Sequence, residues 1–97
     1  MATIKLTARA FSHLETIFEY LAEHHPQRAL ETVRRIRQGI AILEHHPLMG
    51  RIVEQGRREL VVSRGRSTHL VLYRWLPNDD VVLVLAVRDA RQAGYAD

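Results

Sequence analysis

Eight charged or titratable side chains in the C-terminal half, Arg64, Arg66, His69, Arg74, Arg88, Asp89, Arg91 and Tyr95, fall near the ends of segments that read as strands. Gathered in one cleft, such a set has the parts needed to cut an RNA phosphodiester. One group removes the 2′-hydroxyl proton, arginines stabilise the pentavalent phosphorane, and another group protonates the leaving oxygen. The candidate catalytic residues for that chemistry are Arg64, Arg66, His69, Arg88, Arg91 and Tyr95. Other chemistries lack their parts, since there is no metal-ligand spacing, phosphate-cradling glycine loop or nucleophile elbow. The chain has no cysteine, which removes disulfides and thiolate metal sites. Two His-His-Pro runs, at residues 24–26 and 45–47, invite a metal reading. Adjacent histidines on a helix point about 100° apart, however, and histidine near a helix C-terminus is already favoured by the macrodipole. No metal and no cofactor are expected.

What these side chains would grip is constrained by charge. The net charge is +3, and 13 of the 14 basic residues are arginine, Lys5 being the only lysine. Arginine is chosen over lysine where a planar, forked donor must engage a carboxylate or phosphate at two points. The partner class is therefore acidic: a nucleic acid or an acidic protein segment. Met1 to Leu6 lacks a signal-peptide pattern and no apolar run reaches membrane-spanning length, so the chain is read as cytoplasmic with no membrane partner.

The elements that must position these residues follow from hydrophobic spacing. With 97 residues, 46% hydrophobic and 26% charged, the chain has the size and makeup of one domain with one two-layer core. Alternation over Thr3 to Leu6 predicts a short strand, and Thr7 is placed as the N-cap of a following helix. That helix carries an apolar stripe of Phe11, Leu14, Ile17, Phe18 and Leu21. Its glutamates Glu15, Glu19 and Glu23 form a row that calls for nearby cations, which arginines of a second helix are expected to supply. After Pro26, Ala29, Val33, Ile36, Ile40 and Leu43 mark that second helix, giving an antiparallel hairpin in which Gly39 marks a close helix contact.

Beyond Gly50 the period becomes that of strands, with turns at Gln55-Gly56, at Gly65 and at Pro77 to Asp80. The run Val81 to Val87 is apolar throughout and reads as a strand buried on both faces, inside the sheet. The expected fold is α+β in two layers: an N-terminal strand, then an antiparallel helix hairpin on one face of a mostly antiparallel sheet of four to five strands.

Two helices cover only one face of such a sheet, yet both faces of the segment Thr68 to Leu76 are apolar. Leu70 and Leu72 lie on one, and His69, Val71, Tyr73 and Trp75 on the other, with Val61 opposed to Leu60 and Val62 one strand earlier. An open apolar face of that size marks a protein interface, and Tyr, Trp and Arg are enriched at interface hot spots. Residues 89 to 97 are barely long enough to cover it, so a partner protein is expected there.

These strings, in this order, resemble the RelE/ParE superfamily of bacterial toxin–antitoxin toxins over nearly the whole chain. The resemblance is carried by Ile4-Lys5-Leu6-Thr7, Ala10, Ile40 to Leu43 with Pro47 and Gly50-Arg51, Arg58-Glu59-Leu60-Val61-Val62, Val71-Leu72-Tyr73, and Ala86 to Gln92. The tail with Arg88 and Arg91 is more similar to the ParE, plasmid-stabilisation branch. That branch implies a toxin neutralised by a ParD-like antitoxin whose acidic C-terminal segment folds onto it, with DNA gyrase as the target. In those terms Arg58, Val61, Val71, Tyr73, Arg74 and Trp75 are the expected antitoxin contacts, and Arg88, Arg91 and Tyr95 the expected target contacts. The RelE branch implies ribosome-dependent mRNA cleavage, and only there is direct nucleic-acid contact expected. RNA-cutting relatives commonly carry an arginine three residues before the tyrosine that Tyr73 matches, and lysines in the preceding strand. This chain has Leu70 there, and Glu59, Val61 and Ser63 in the strand. The departures favour a binding inhibitor over an endoribonuclease.

Overall fold

The computed structural model describes residues 1–97. In chain order it contains β1 (Thr3–Leu6), α1 (Ala8–His24), α2 (Pro26–Ile42), β2 (Arg51–Ile52), β3 (Arg58–Arg64), β4 (Ser67–Leu76) and β5 (Val81–Asp89), with one turn of 3-10 helix at Glu54–Gly56. The five strands form a single sheet in the order β1-β5-β4-β3-β2. Every pairing is antiparallel except β1 with β5, which run parallel with Thr3 beside Val81 and Leu6 beside Val84. The α+β architecture read from the residues is the one observed.

Thr7 joins the two layers. Its Oγ1 accepts from the Ala10 amide at 3.1 Å, capping α1, and the same hydroxyl is shared between the carbonyls of Val84 (3.0 Å) and Leu85 (3.1 Å) on β5. Leu85 is the inserted residue of a β-bulge, because Leu72 pairs with Ala86 while Tyr73 pairs with Val84. The bulge resets the alternation, so Val82, Val84 and Val87 all point to the helices. Thr7→Ala is expected to cost about 1–2 kcal/mol in urea unfolding, with Thr7→Ser recovering most of it.

Residues directly opposite across a ladder share a face. Leu60, Val71, Tyr73, Val82, Val84 and Val87 meet Leu14, Ile36, Ile40 and Leu43 of the helical layer in one buried cluster, with Ala2 and Ala10. The Tyr73 side chain is wholly buried there. Its hydroxyl accepts from the Gly50 amide at 2.8 Å and donates to the Pro47 carbonyl at 2.7 Å, tying the α2–β2 connection to the sheet.

Four expectations are corrected. Phe11 and Phe18 are exposed, because the buried line of α1 runs through Ala10, Leu14 and the half-buried Ile17 and Leu21, leaving each phenylalanine one residue, about 100°, off it. Glu15, Glu19 and Glu23 enter no ion pair; the α2 arginine that pairs is Arg35, with Glu31 of its own helix. Gly39 faces the sheet, since a Cβ there would lie 2.7 Å from Val62 Cγ2 on β3. Finally, β5 is buried on both faces only at Ala86 and Val87: before the bulge Val82 and Val84 are fully buried, whereas Val81, Leu83 and Leu85 are partly exposed.

Candidate functional site

The sheet separates the candidate catalytic residues into two groups. On the helix-covered side, at the end where α1 meets α2, a cavity of about 610 Å³ is lined by Arg28, Arg66, His69, Asp89 and Arg91 together with Tyr20 and Leu21. His69 and Asp89 are cross-strand partners, and Arg91 grips Asp89 through both carboxylate oxygens at 3.0 Å. Arg91 holds the Asp89 carboxyl below its ordinary range, against the opposing effect of burial. Burial pushes His69 below the ordinary histidine value, with Asp89 acting in the opposite sense. Arg64 lies apart from this cavity and pairs with Glu31 on α2.

Arg88 and Tyr95 lie on the opposite face. The tail folds back so that the Tyr95 hydroxyl donates to Glu59 Oε2 at 2.6 Å, and the Arg88 guanidinium stacks over the Tyr95 ring, 5.1 Å from its centre. Arg51 reaches the other Glu59 oxygen, with Nη2 at 2.5 Å and Nε at 3.1 Å. Glu59 is buried, which opposes its ionisation, but the hydrogen bonds from Tyr95 and Arg51 outweigh that and hold its carboxyl below the usual range. Burial and the Glu59 charge together push the Tyr95 phenol well above its ordinary value. The Arg88 guanidinium is turned to the tail carbonyls of Ala90 and Gln92 through Nη1, while its Nε is buried without a partner.

This arrangement corrects the expectation that residues 89–97 leave the second face open. Leu70, Leu72 and Ala86 share that face with Glu59 and Arg88 and are buried in the single chain. Beyond Tyr95, the Ala96 carbonyl accepts from Arg9 Nε at 2.9 Å and from His13 Nε2 at 3.0 Å, fixing the tail to α1.

The residues expected to contact a partner are likewise divided. Val71 and Tyr73 have no exposed surface and point into the core beneath the helices, so they serve packing and not an open face. Trp75 is on the same side, partly buried against that core, and Arg58 donates to the carbonyls of Leu48 (3.2 Å) and Gly50 (2.9 Å). The alternation along β4 is the expected one, and the face of Val71, Tyr73 and Trp75 is the one the helices cover. Val61 and Arg74 remain on the other face, Val61 at 52% exposure.

Two residues that sequence reasoning passed over organise the site. His13 is buried on α1, and its Nδ1 accepts from the Val87 amide at 3.0 Å, so its ring proton sits on the Nε2 that donates to Ala96. The amide needs this acceptor because β1 ends opposite Val84 and leaves the rest of β5 as an edge. A lone histidine three residues after a core alanine was the available signal. Arg28 was the other, first in α2 to face the cavity, where Nη2 donates to Ser67 Oγ at 2.7 Å.

No helix is long and apolar enough to cross a membrane, and no three His, Cys, Asp or Glu side chains converge as metal ligands. No curated protein matches the chain. Among solved structures, a chain described as "Chromosomal ParDE TA system from P. aeruginosa" superposes with a TM-score of 0.76 at 22% identity, covering 92% of this chain and 96% of that one, which shows a shared fold. Residues 4–94 match the family described as "ParE toxin of type II toxin-antitoxin system, parDE". With a match spanning both layers of the fold, the chain belongs to the ParE toxin family of type II toxin–antitoxin systems.

Proposed function

We propose that this toxin is held inactive by a cognate ParD-like antitoxin with an acidic C-terminal segment, and that, once free, it inhibits DNA gyrase by binding without bond chemistry of its own. The observation that carries the second half is the state of Tyr95. In an RNA-cutting site on this face, a phenol beside an arginine would exchange a proton with the substrate. Here the phenol donates to a buried carboxylate, which makes its proton harder to remove, and the cation it would work with is turned toward the tail carbonyls. Glu59 also places negative charge where a phosphate would have to sit.

The antitoxin half is supported by exposed apolar surface on the helix hairpin, where Phe11, Phe18 and Leu30 are 53%, 40% and 52% exposed, and by the arginine excess around it. Ile52 on the edge strand and Val61 on the face opposite the helices add exposed apolar side chains, at 72% and 52% exposure. Of the expected antitoxin contacts this reading keeps Val61 and Arg74, and it adds Phe11, Phe18, Leu30 and Ile52. Arg88 and Arg91 face opposite sides of the sheet, so a gyrase contact using both would have to wrap the β5 end.

Purified toxin is expected to block gyrase supercoiling while leaving mRNA ends intact on translating ribosomes. Codon-specific cuts with unaffected gyrase would overturn the reading in favour of the endoribonuclease branch.

A further inference from the structure

Of the cavity between the helix hairpin and the β4–β5 end, only Arg91 enters that reading, yet the whole is built like a ligand site. At about 610 Å³ it falls in the range of small-molecule pockets. Its cations come from three separate elements: Arg28 from α2, Arg66 from the β3–β4 turn and Arg91 from the tail. Asp89 is the one carboxylate in the lining, and the Arg91 fork already occupies it. Arg66 has no hydrogen-bond or ion-pair partner, and Arg28 spends one nitrogen on the Ser67 hydroxyl. Two guanidiniums therefore stand with unused donors at one mouth.

His69 is a second and independent sign. It is 6% exposed, its ring makes no hydrogen bond, and it lines this cavity beside Ser67. Its ring nitrogens are not sealed off from the cavity, so the imidazole has hydrogen-bonding capacity that no group of the chain uses and that a ligand there can take up. Ile17, Leu21 and Tyr20 of α1 also line it, and the Tyr20 ring is stacked on His24 at 4.3 Å between centroids.

We propose that this cavity binds a nucleotide, with its phosphates held by Arg28 and Arg66 next to His69 and its base against Tyr20. Forked guanidiniums match phosphate oxygens at two points, and the positive end of α2, which starts at Pro26 beside the cavity, favours the same charge. An acidic peptide would use the charge but not the concave aromatic wall. The base and the phosphates thus account for different walls of the site.

Isothermal titration of the full chain with ADP at low salt tests this, with pyrophosphate as the nucleoside-free probe and hexaglutamate as the acidic-peptide probe. ADP is expected to bind at least about tenfold more tightly than either, and R28A/R66A is expected to weaken it about tenfold or more. Both arginines are exposed, so circular dichroism should show the variant folded. Tyr20→Ala, at another exposed position, is expected to weaken ADP while leaving pyrophosphate unchanged. Absence of ADP binding at millimolar concentration, pyrophosphate or hexaglutamate binding as tightly as ADP, or indifference of ADP binding to R28A/R66A and to Tyr20→Ala would each overturn the proposal.

Discussion

Gly50→Ala should destabilise the fold by about 3 kcal/mol, among the largest effects of any single added methyl in this chain. An added Cβ would sit 2.6 Å from Tyr73 Cε1, 2.7 Å from its hydroxyl oxygen and 3.0 Å from the Glu59 carbonyl. The ring cannot retreat, because it is wholly buried among Leu60, Val71 and Ile40, and its hydroxyl is fixed by Pro47. Overpacking of this kind costs about 1–3 kcal/mol, and displacing the hydroxyl leaves the buried Gly50 amide unpaired for about 1–3 kcal/mol more. Tyr73→Phe alone should cost about 1–3 kcal/mol, since it strips a donor and an acceptor of their partner while keeping the ring. In the double variant the missing hydroxyl relieves part of the clash, so the two costs should sum to less than their separate values. Equilibrium denaturation of the four proteins measures this coupling. Gly50→Ala within about 0.5 kcal/mol of the parent would show that the close approach is not what positions the α2–β2 connection.

Much of the fold was legible because its signals are local. The Thr7 cap, the α2 seam of Ala29, Ile36, Ile40 and Leu43, and the turns at Gly65 and Pro77 to Asp80 each depend on a few neighbouring residues. What was misread depends on relations between distant segments. A period-2 strand announces two faces without saying which is covered. Val71, Tyr73 and Trp75 therefore read as partner contacts, although Val71 and Tyr73 lie in the core and Trp75 packs against it. In α1 the phenylalanines drew the stripe toward themselves because of their size, whereas the small Ala10 marks the buried line, with no exposed surface at all.

The candidate site was harder for the same reason. Nearness in sequence placed Arg64, Arg66, Arg88 and Arg91 together, but alternate residues of a strand point to opposite faces. Arg88 and Asp89 are neighbours in the chain, and one joins Tyr95 over the second face while the other pairs with Arg91 in the cavity. Charge counting could not separate them; the register of β4 against β5 does. Beside the lysines that the resemblance implies for RNA-cutting relatives, Glu59 with Val61 and Ser63 reads only as a loss of phosphate-stabilising charge. In the structure it also has a positive role, as the acceptor that draws the tail across the sheet.

That role gives the second large expected effect. Glu59→Gln keeps volume but removes the charge that accepts from Tyr95 and Arg51. Hydrogen bonds to a charged group contribute about 1.5–3 kcal/mol each, and the Tyr95 bond is the sheltered one. Arg51 is 66% exposed, so Arg51→Ala should cost under about 1 kcal/mol. Tyr95→Phe should reproduce most of the Glu59→Gln loss, about 1.5–3 kcal/mol. Trypsin reports the same event locally, because release of the tail leaves the chain after the exposed Arg91 open to cutting; both variants should be cleaved there faster than the parent and Arg51→Ala should not. The pH dependence has a definite sign. Glu59 has a folded pKa below its value of 4.5 in the unfolded chain, so its contribution is fully present above pH 4.5 and is lost as pH falls through the folded value. The parent should therefore lose stability more steeply than Glu59→Gln below pH 4.5, with Asp89 supplying the part of the acid loss that both share. Parallel acid profiles for the two proteins, with unchanged tryptic rates, would mean that the tail is held by Arg9, His13 and Arg88 without help from Glu59.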